Sequence, residues 1–117
     1  MSVARGREGE ARAEAYLSGL GWTILERNWR APGGEVDLIG RDGRTMVFVE
    51  VKQRASRGFG GAAASVGAVK RRRIAKCAVF YLRGARHDGP IRFDVIAIEG
   101  ESLRHIPSAF RAEGFTR

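Results

Sequence analysis

The chain has 117 residues, 44% hydrophobic and 29% charged, which is enough for one folded unit with one core. Lysine and arginine number 21 against 13 acids, and the formal charge of +8 favours polyanionic partners, nucleic acid foremost. No apolar run is long enough to cross a bilayer, no basic segment carries a broad apolar face for a membrane surface, and the lone Cys77 excludes an internal disulfide.

The first residues, MSVARGREGEARAEAYL, hold no apolar stretch of the kind an export signal needs. With a single cysteine, the expected location is the reducing cytoplasm. Arg5 to Leu20 read as the first helix, with Gly6, Ala13, Leu17 and Leu20 in one arc. Glu10 sits at the edge of that arc and is expected to face the sheet or the rim of a cleft. The competing reading is compensation of the helix dipole. Gly6 and Gly9 would let the helix approach another backbone closely. Gly21 is the expected stop.

Trp22 to Trp29 read as the first strand, and Ala31-Pro32-Gly33-Gly34 as a turn. Trp29 stands beside basic residues, where it could stack on a base, although burial habits favour the core. Glu35–Gly40 and Thr45–Gln53 then form a hairpin around Arg41-Asp42-Gly43-Arg44. Asp37, Glu50 and Lys52 interrupt runs that otherwise read as buried. Isolated buried charges cost several kcal/mol, so such groups pair with one another, with a metal or with a ligand.

A two-residue turn at Asp42-Gly43 would set Arg41 opposite Arg44, Asp37 opposite Phe48 and Glu35 opposite Glu50. Because strand side chains alternate faces, Glu35, Asp37, Glu50 and Lys52 then share one face. Asp37 would lie diagonal to Glu50, about 7–8 Å away. A three-residue loop would separate the pairs. Two acids and a lysine on one face suit Mg²⁺ or Mn²⁺ with a phosphate substrate. The competing reading is an ion pair on a solvated face.

Ala55 to Ser65 read as a Gly/Ala/Ser-rich loop without the ending of a P-loop. Ser65 is the expected N-cap of a second helix from Val66 to Arg83. Its apolar arc holds Val66, Val69, Ile74, Cys77, Ala78 and Tyr81. Lys70 and Arg73 project into that arc and could reach the same cleft as the acids. Together with Arg30 and Arg54 they are the candidate nucleic-acid contacts. Cys77 reads as core. Ile91 to Ile98 form the next strand, with Asp94 on the face opposite Ile91, Phe93 and Val95, where it could be a fourth acid but reads rather as structural. Leu103 to Ile106 read as a short edge strand, and Phe110 and Phe115 as docking points of the tail. His87 and His105 lack zinc-ligand spacing. Residues 1–117 are read as one domain, an α/β fold in the order α-β-β-β-α-β with helices on the faces of a mixed sheet.

The spacing Asp37, then Glu50-Val51-Lys52, resembles the PD-(D/E)xK nucleases. A wider set of motifs resembles the YraN-like family, predicted endonucleases of the restriction-endonuclease-like fold related to archaeal Holliday junction resolvases. These are Gly6-x-x-Gly9-Glu10 with Tyr16-Leu17, Asn28-Trp29-Arg30, Gly34–Ile39, Val47–Lys52, Phe59-Gly60, Ser65-Val66, Lys70 and Arg92-Phe93-Asp94-Val95. The resemblance implies a metal-dependent endonuclease acting on structured or branched DNA. Asp37, Glu50 and Glu10 would bind Mg²⁺ or Mn²⁺, and Lys52 would complete the catalytic set. It also implies a homodimer, and no small-molecule cofactor. The alternative is a nucleic-acid-binding module that keeps the fold without cutting, or an interaction domain whose charge is incidental.

Overall fold

The computed structural model describes residues 2–54 and 67–111, and side chains from 8 to 53 and 67 to 111. The elements are α1 (Ser2–Gly19), β1 (Thr23–Ala31), β2 (Gly34–Asp42), β3 (Thr45–Arg54), α2 (Ala68–Gly84), β4 (Ile91–Glu99) and β5 (Ser102–Ile106). The five strands among the described residues form one sheet in the order β1-β2-β3-β4-β5. β3 and β4 are parallel, joined through α2, and the other neighbours are antiparallel. The expected α/β arrangement is present and is consistent with the restriction-endonuclease-like fold. β5 is the short edge strand expected over Leu103–Ile106. No helix of the described residues is long and apolar enough to cross a membrane.

α1 is built from good helix formers, alanine, arginine and glutamate. It ends as expected at Gly21, whose φ of +96° suits a residue without Cβ. Trp22 N–H donates to Leu17 C=O at 3.1 Å and Gly21 N–H to Ser18 C=O at 3.0 Å, the paired bonds of a Schellman ending. Trp22 and Leu17 both enter the same apolar cluster, so the cap also anchors the start of β1.

The sheet alternates its side chains between two cores. Leu38, Val47, Val49, Ile96 and Ile98 face α1 and meet Ala13 and Leu17. Ile39, Met46, Phe48, Phe93 and Val95 face α2 and meet Ile74, Cys77 and Ala78. Full burial of each such side chain stabilises by about 1.5–3 kcal/mol. Phe48, Phe93 and Phe110 stack in series at centroid distances of 5.7 and 5.3 Å, which fixes the tail at Phe110 as expected. Phe115 lies outside the described residues. Trp29 packs edge-on against Tyr81 at the margin of this core.

Three local expectations are corrected. The hairpin turns at Gly43-Arg44, not Asp42-Gly43, so that Asp42 pairs Thr45 and Ile39 pairs Phe48. Gly43 carries φ +61° at the first central position, where a type II′ turn calls for glycine. The N-cap of α2 is Gly67, with no side-chain cap bond, and not Ser65. Val69 is 55% exposed, because the face of α2 that meets the sheet runs instead through Ile74, Cys77 and Ala78.

Candidate active site

Pairing between β2 and β3 runs from Asp42↔Thr45 to Leu38↔Val49. One step further in the same register, Asp37 stands directly across from Glu50. There the strands fork. Asp37 Oδ2, in place of a backbone carbonyl, accepts the Val51 N–H at 2.8 Å. The register differs by two residues from the expected one, and a shift of two leaves every side chain on its face. The expected sharing of one face by Asp37, Glu50 and Lys52 therefore holds, and the two acids are closer than the diagonal expected.

α2 closes the α2-facing side of the fork. Gly33, Gly34, Glu35, Asp37, Glu50, Lys70, Arg73 and Ile74 line a cavity of about 200 Å³. A Cβ on Gly34 would lie 3.1 Å from Cys77 Sγ and 3.3 Å from Arg73 Cβ, so the missing side chain is what lets α2 lie this close. The close approach brings Lys70 Nζ to 2.5 Å from Glu50 Oε2. Lys52 Nζ reaches the same oxygen at 3.6 Å. Glu50 itself is buried. On the other face, a Cβ on Gly9 would lie 2.5 Å from Gln53 Oε1, so α1 approaches the end of β3 through a side chain and not through backbone. This places Glu10 near enough for its charge to act on Asp37.

The electrostatics are those of crowded acids. The Asp37 carboxyl is pushed up to about 8, by burial first and then by the charge of Glu50, with the Val51 N–H opposing the shift and Glu10 adding to it. Burial lowers the Lys52 ammonium, and Lys70 beside it lowers it again. Burial also opposes the charge of Lys70, but its contact with Glu50 outweighs that and raises it. Among the described residues, no three histidines, cysteines or acids converge as a ready-made metal ligand set. Two facing carboxylates, with water and phosphate completing the shell, are nevertheless the usual donors for Mg²⁺.

The fork spans a region with known relatives. The chain matches the Uncharacterised protein family UPF0102 over residues 9–98. It belongs to that family. It is 52% identical over 112 residues to a UPF0102 protein of Dechloromonas aromatica, covering 96% of this chain and 92% of that one. A UPF0102 protein of Halorhodospira halophila is 50% identical over 109 residues, covering 93% and 88%. One from Thermodesulfovibrio yellowstonii is 44% identical over 108 residues, covering 92% and 96%. UPF0102 is the YraN-like group whose motifs the sequence resembles.

The matched region carries Glu10, Asp37, Glu50, Lys52, Lys70 and Arg73, and of these the structure gathers Asp37, Glu50, Lys52 and Lys70 most closely. Arg30 is exposed and pairs with Glu35 at 3.3 Å, beside the fork. The Arg54 side chain and the Ala55–Ser65 loop lie outside the described residues.

A second polar cluster sits on the α1 face of this UPF0102 chain. Asp94, fully buried, accepts from Arg92 Nε at 2.8 Å and from the Ser108 N–H at 3.0 Å, and meets His105 Nε2 at 2.7 Å. Burial alone would raise its carboxyl, but His105, Arg92 and the Ser108 N–H outweigh that and hold it below the usual aspartate range. Asp94 is structural, as the sequence suggested. The role of His105 was not legible, since only the β4–β5 register, with His105 opposite Ile96, sets it diagonal to Asp94.

Proposed function

We propose that this UPF0102 protein is a Mg²⁺- or Mn²⁺-dependent endonuclease that hydrolyses phosphodiester bonds in structured or branched DNA. The observation that supports it is the meeting of Asp37 and Glu50 where β2 and β3 part, in a cavity that Lys70 and Arg73 also line, with Lys52 Nζ 3.6 Å from Glu50. Asp37 and Glu50 are hard oxygen donors whose mutual repulsion calls for a cation, and they suit such an ion. The ion, when bound, would polarise a phosphate oxygen and make a water more acidic.

Glu10 would add negative charge from α1 or orient a water. Lys52 would hold the attacking water and offset charge that builds on the phosphate oxygens. Lys70 and Arg73 would grip the backbone near the scissile bond, and Arg30 and Arg54 would extend the basic track. A branched substrate and a homodimer rest on the family resemblance, since a junction needs two symmetric cuts.

The test is cleavage of linear, flapped and four-way DNA with Mg²⁺ or Mn²⁺. Wild type should cut, and Asp37→Asn and Glu50→Gln should each lose about 100-fold or more. Wild type that cuts none of these substrates would overturn the proposal. The second reading, a module that binds without cutting, is favoured by the 2.5 Å contact of Lys70 with Glu50, which occupies an acid a metal would need. It expects no cleavage and an affinity that falls steeply with salt.

A further inference from the structure

We infer that Lys70 is a built-in counter-cation that holds Glu50 in the free protein and must leave before a divalent ion binds there, coupling metal binding to DNA binding. The inference rests on the endonuclease reading of the fork. Glu50 Oε2 is claimed by two ammonium groups, Lys70 at 2.5 Å and Lys52 at 3.6 Å. Two positive charges thus stand beside the carboxylate that a divalent ion would approach, and their repulsion weakens its binding while both are in place. Lys52 stands two residues along the same strand and is the more enclosed of the two, its side chain 24% exposed. Lys70 comes from a different element, and its side chain is 44% exposed at the mouth of the cavity.

Its flexible four-carbon stem lets the ammonium swing outward without moving α2. Arg73, one turn along, lines the same mouth and would meet the same phosphate. A backbone phosphate there offers Lys70 an exchange of one oxyanion for another, and Glu50 is freed. By linkage, DNA then tightens the metal by the same factor by which metal tightens DNA.

The test is calorimetric titration of DNA-free protein with Mn²⁺. Lys70→Met removes the charge, and Lys70→Gln removes it while keeping an N–H donor for Glu50, which serves if the first variant does not fold. Lys76→Met removes one charge from an exposed position of the same helix. Both Lys70 variants should bind Mn²⁺ at least about fivefold more tightly than wild type, with Lys76→Met unchanged. Equal or weaker binding by the Lys70 variants, with wild-type binding that Asp37→Asn abolishes, would overturn the inference and leave the metal site standing. So would an equal gain in Lys76→Met, which would be bulk charge. No Mn²⁺ binding by any of these proteins would overturn the metal site and the inference together.

Discussion

The Val51 N–H lies 2.8 Å from Asp37 Oδ2, across the point where β2 and β3 part. A side chain thus takes the place of a ladder carbonyl, and the same carboxylate borders the cavity. Asp37→Asn keeps an oxygen for Val51 and removes a carboxyl whose ionised form burial, Glu50 and Glu10 all oppose. The metal-free variant should therefore be more stable than wild type, by about 1 kcal/mol or ~4 °C in Tm. A thermal melt without divalent ions reads this directly. A lower Tm would mean that the charge supports the fold.

Two glycines make opposite predictions. Gly9→Ala crowds the end of the exposed Gln53 side chain, which can turn away, meets Ile98 at ordinary contact distance, and gains helix propensity. It should be neutral or stabilising by about 0.5–1 kcal/mol. Gly34→Ala meets Cys77 Sγ and, fixed to α2 itself, Arg73 Cβ and the Arg73 carbonyl, which yield only if α2 moves by a few tenths of an ångström. It should cost about 1–3 kcal/mol in denaturant melts and weaken any function that needs Lys70 near Glu50.

Asp94→Ala leaves Arg92 and His105 without their buried partner and should cost about 3–5 kcal/mol. The pH dependence follows from the depressed carboxyl. A group whose folded pKa is lowered stabilises above its unfolded value, about 3.9 for aspartate, and that stability fades as the pH falls towards the folded value. Wild-type Tm should therefore drop more steeply than that of Asp94→Ala below about pH 4. Parallel curves would show that Asp94 is not the group responsible.

Cys77 lies fully buried between α2 and the sheet, and burial raises its thiol above the ordinary value. The thiolate is the reactive form, so native protein should resist an aromatic disulfide reagent at neutral pH, reacting in step with unfolding. Labelling faster than global unfolding would mean that α2 opens locally.

Much of this was legible in residue order, for reasons that differ by residue. Arg41-Asp42-Gly43-Arg44 suits two adjacent two-residue turns, one with Asp-Gly and one with Gly-Arg at its centre. The sequence does not choose between them, but both give the same faces, so the grouping of Asp37, Glu50 and Lys52 survived the error in register. Lys70 showed itself as a charge inside an apolar arc. Its contact with Glu50 depends on how far α2 slides along the sheet, which Gly34 permits and periodicity does not encode. The fork was hidden, because it arises where pairing stops, and strand-forming residues continue on both sides of it. His105 was hidden because its partner is eleven residues away on another strand.

The parting of β2 from β3 gives the molecule the form of tweezers. Asp37 rides on one arm with β1, and Glu50 and Lys52 ride on the other with β4 and β5, while the ladder from Leu38↔Val49 to the hairpin turn acts as the pivot. Asp37 and Glu50 stand just beyond that pivot, so a change of a few degrees in the twist of the sheet bears first on the Val51 N–H bond to Asp37 that spans the gap.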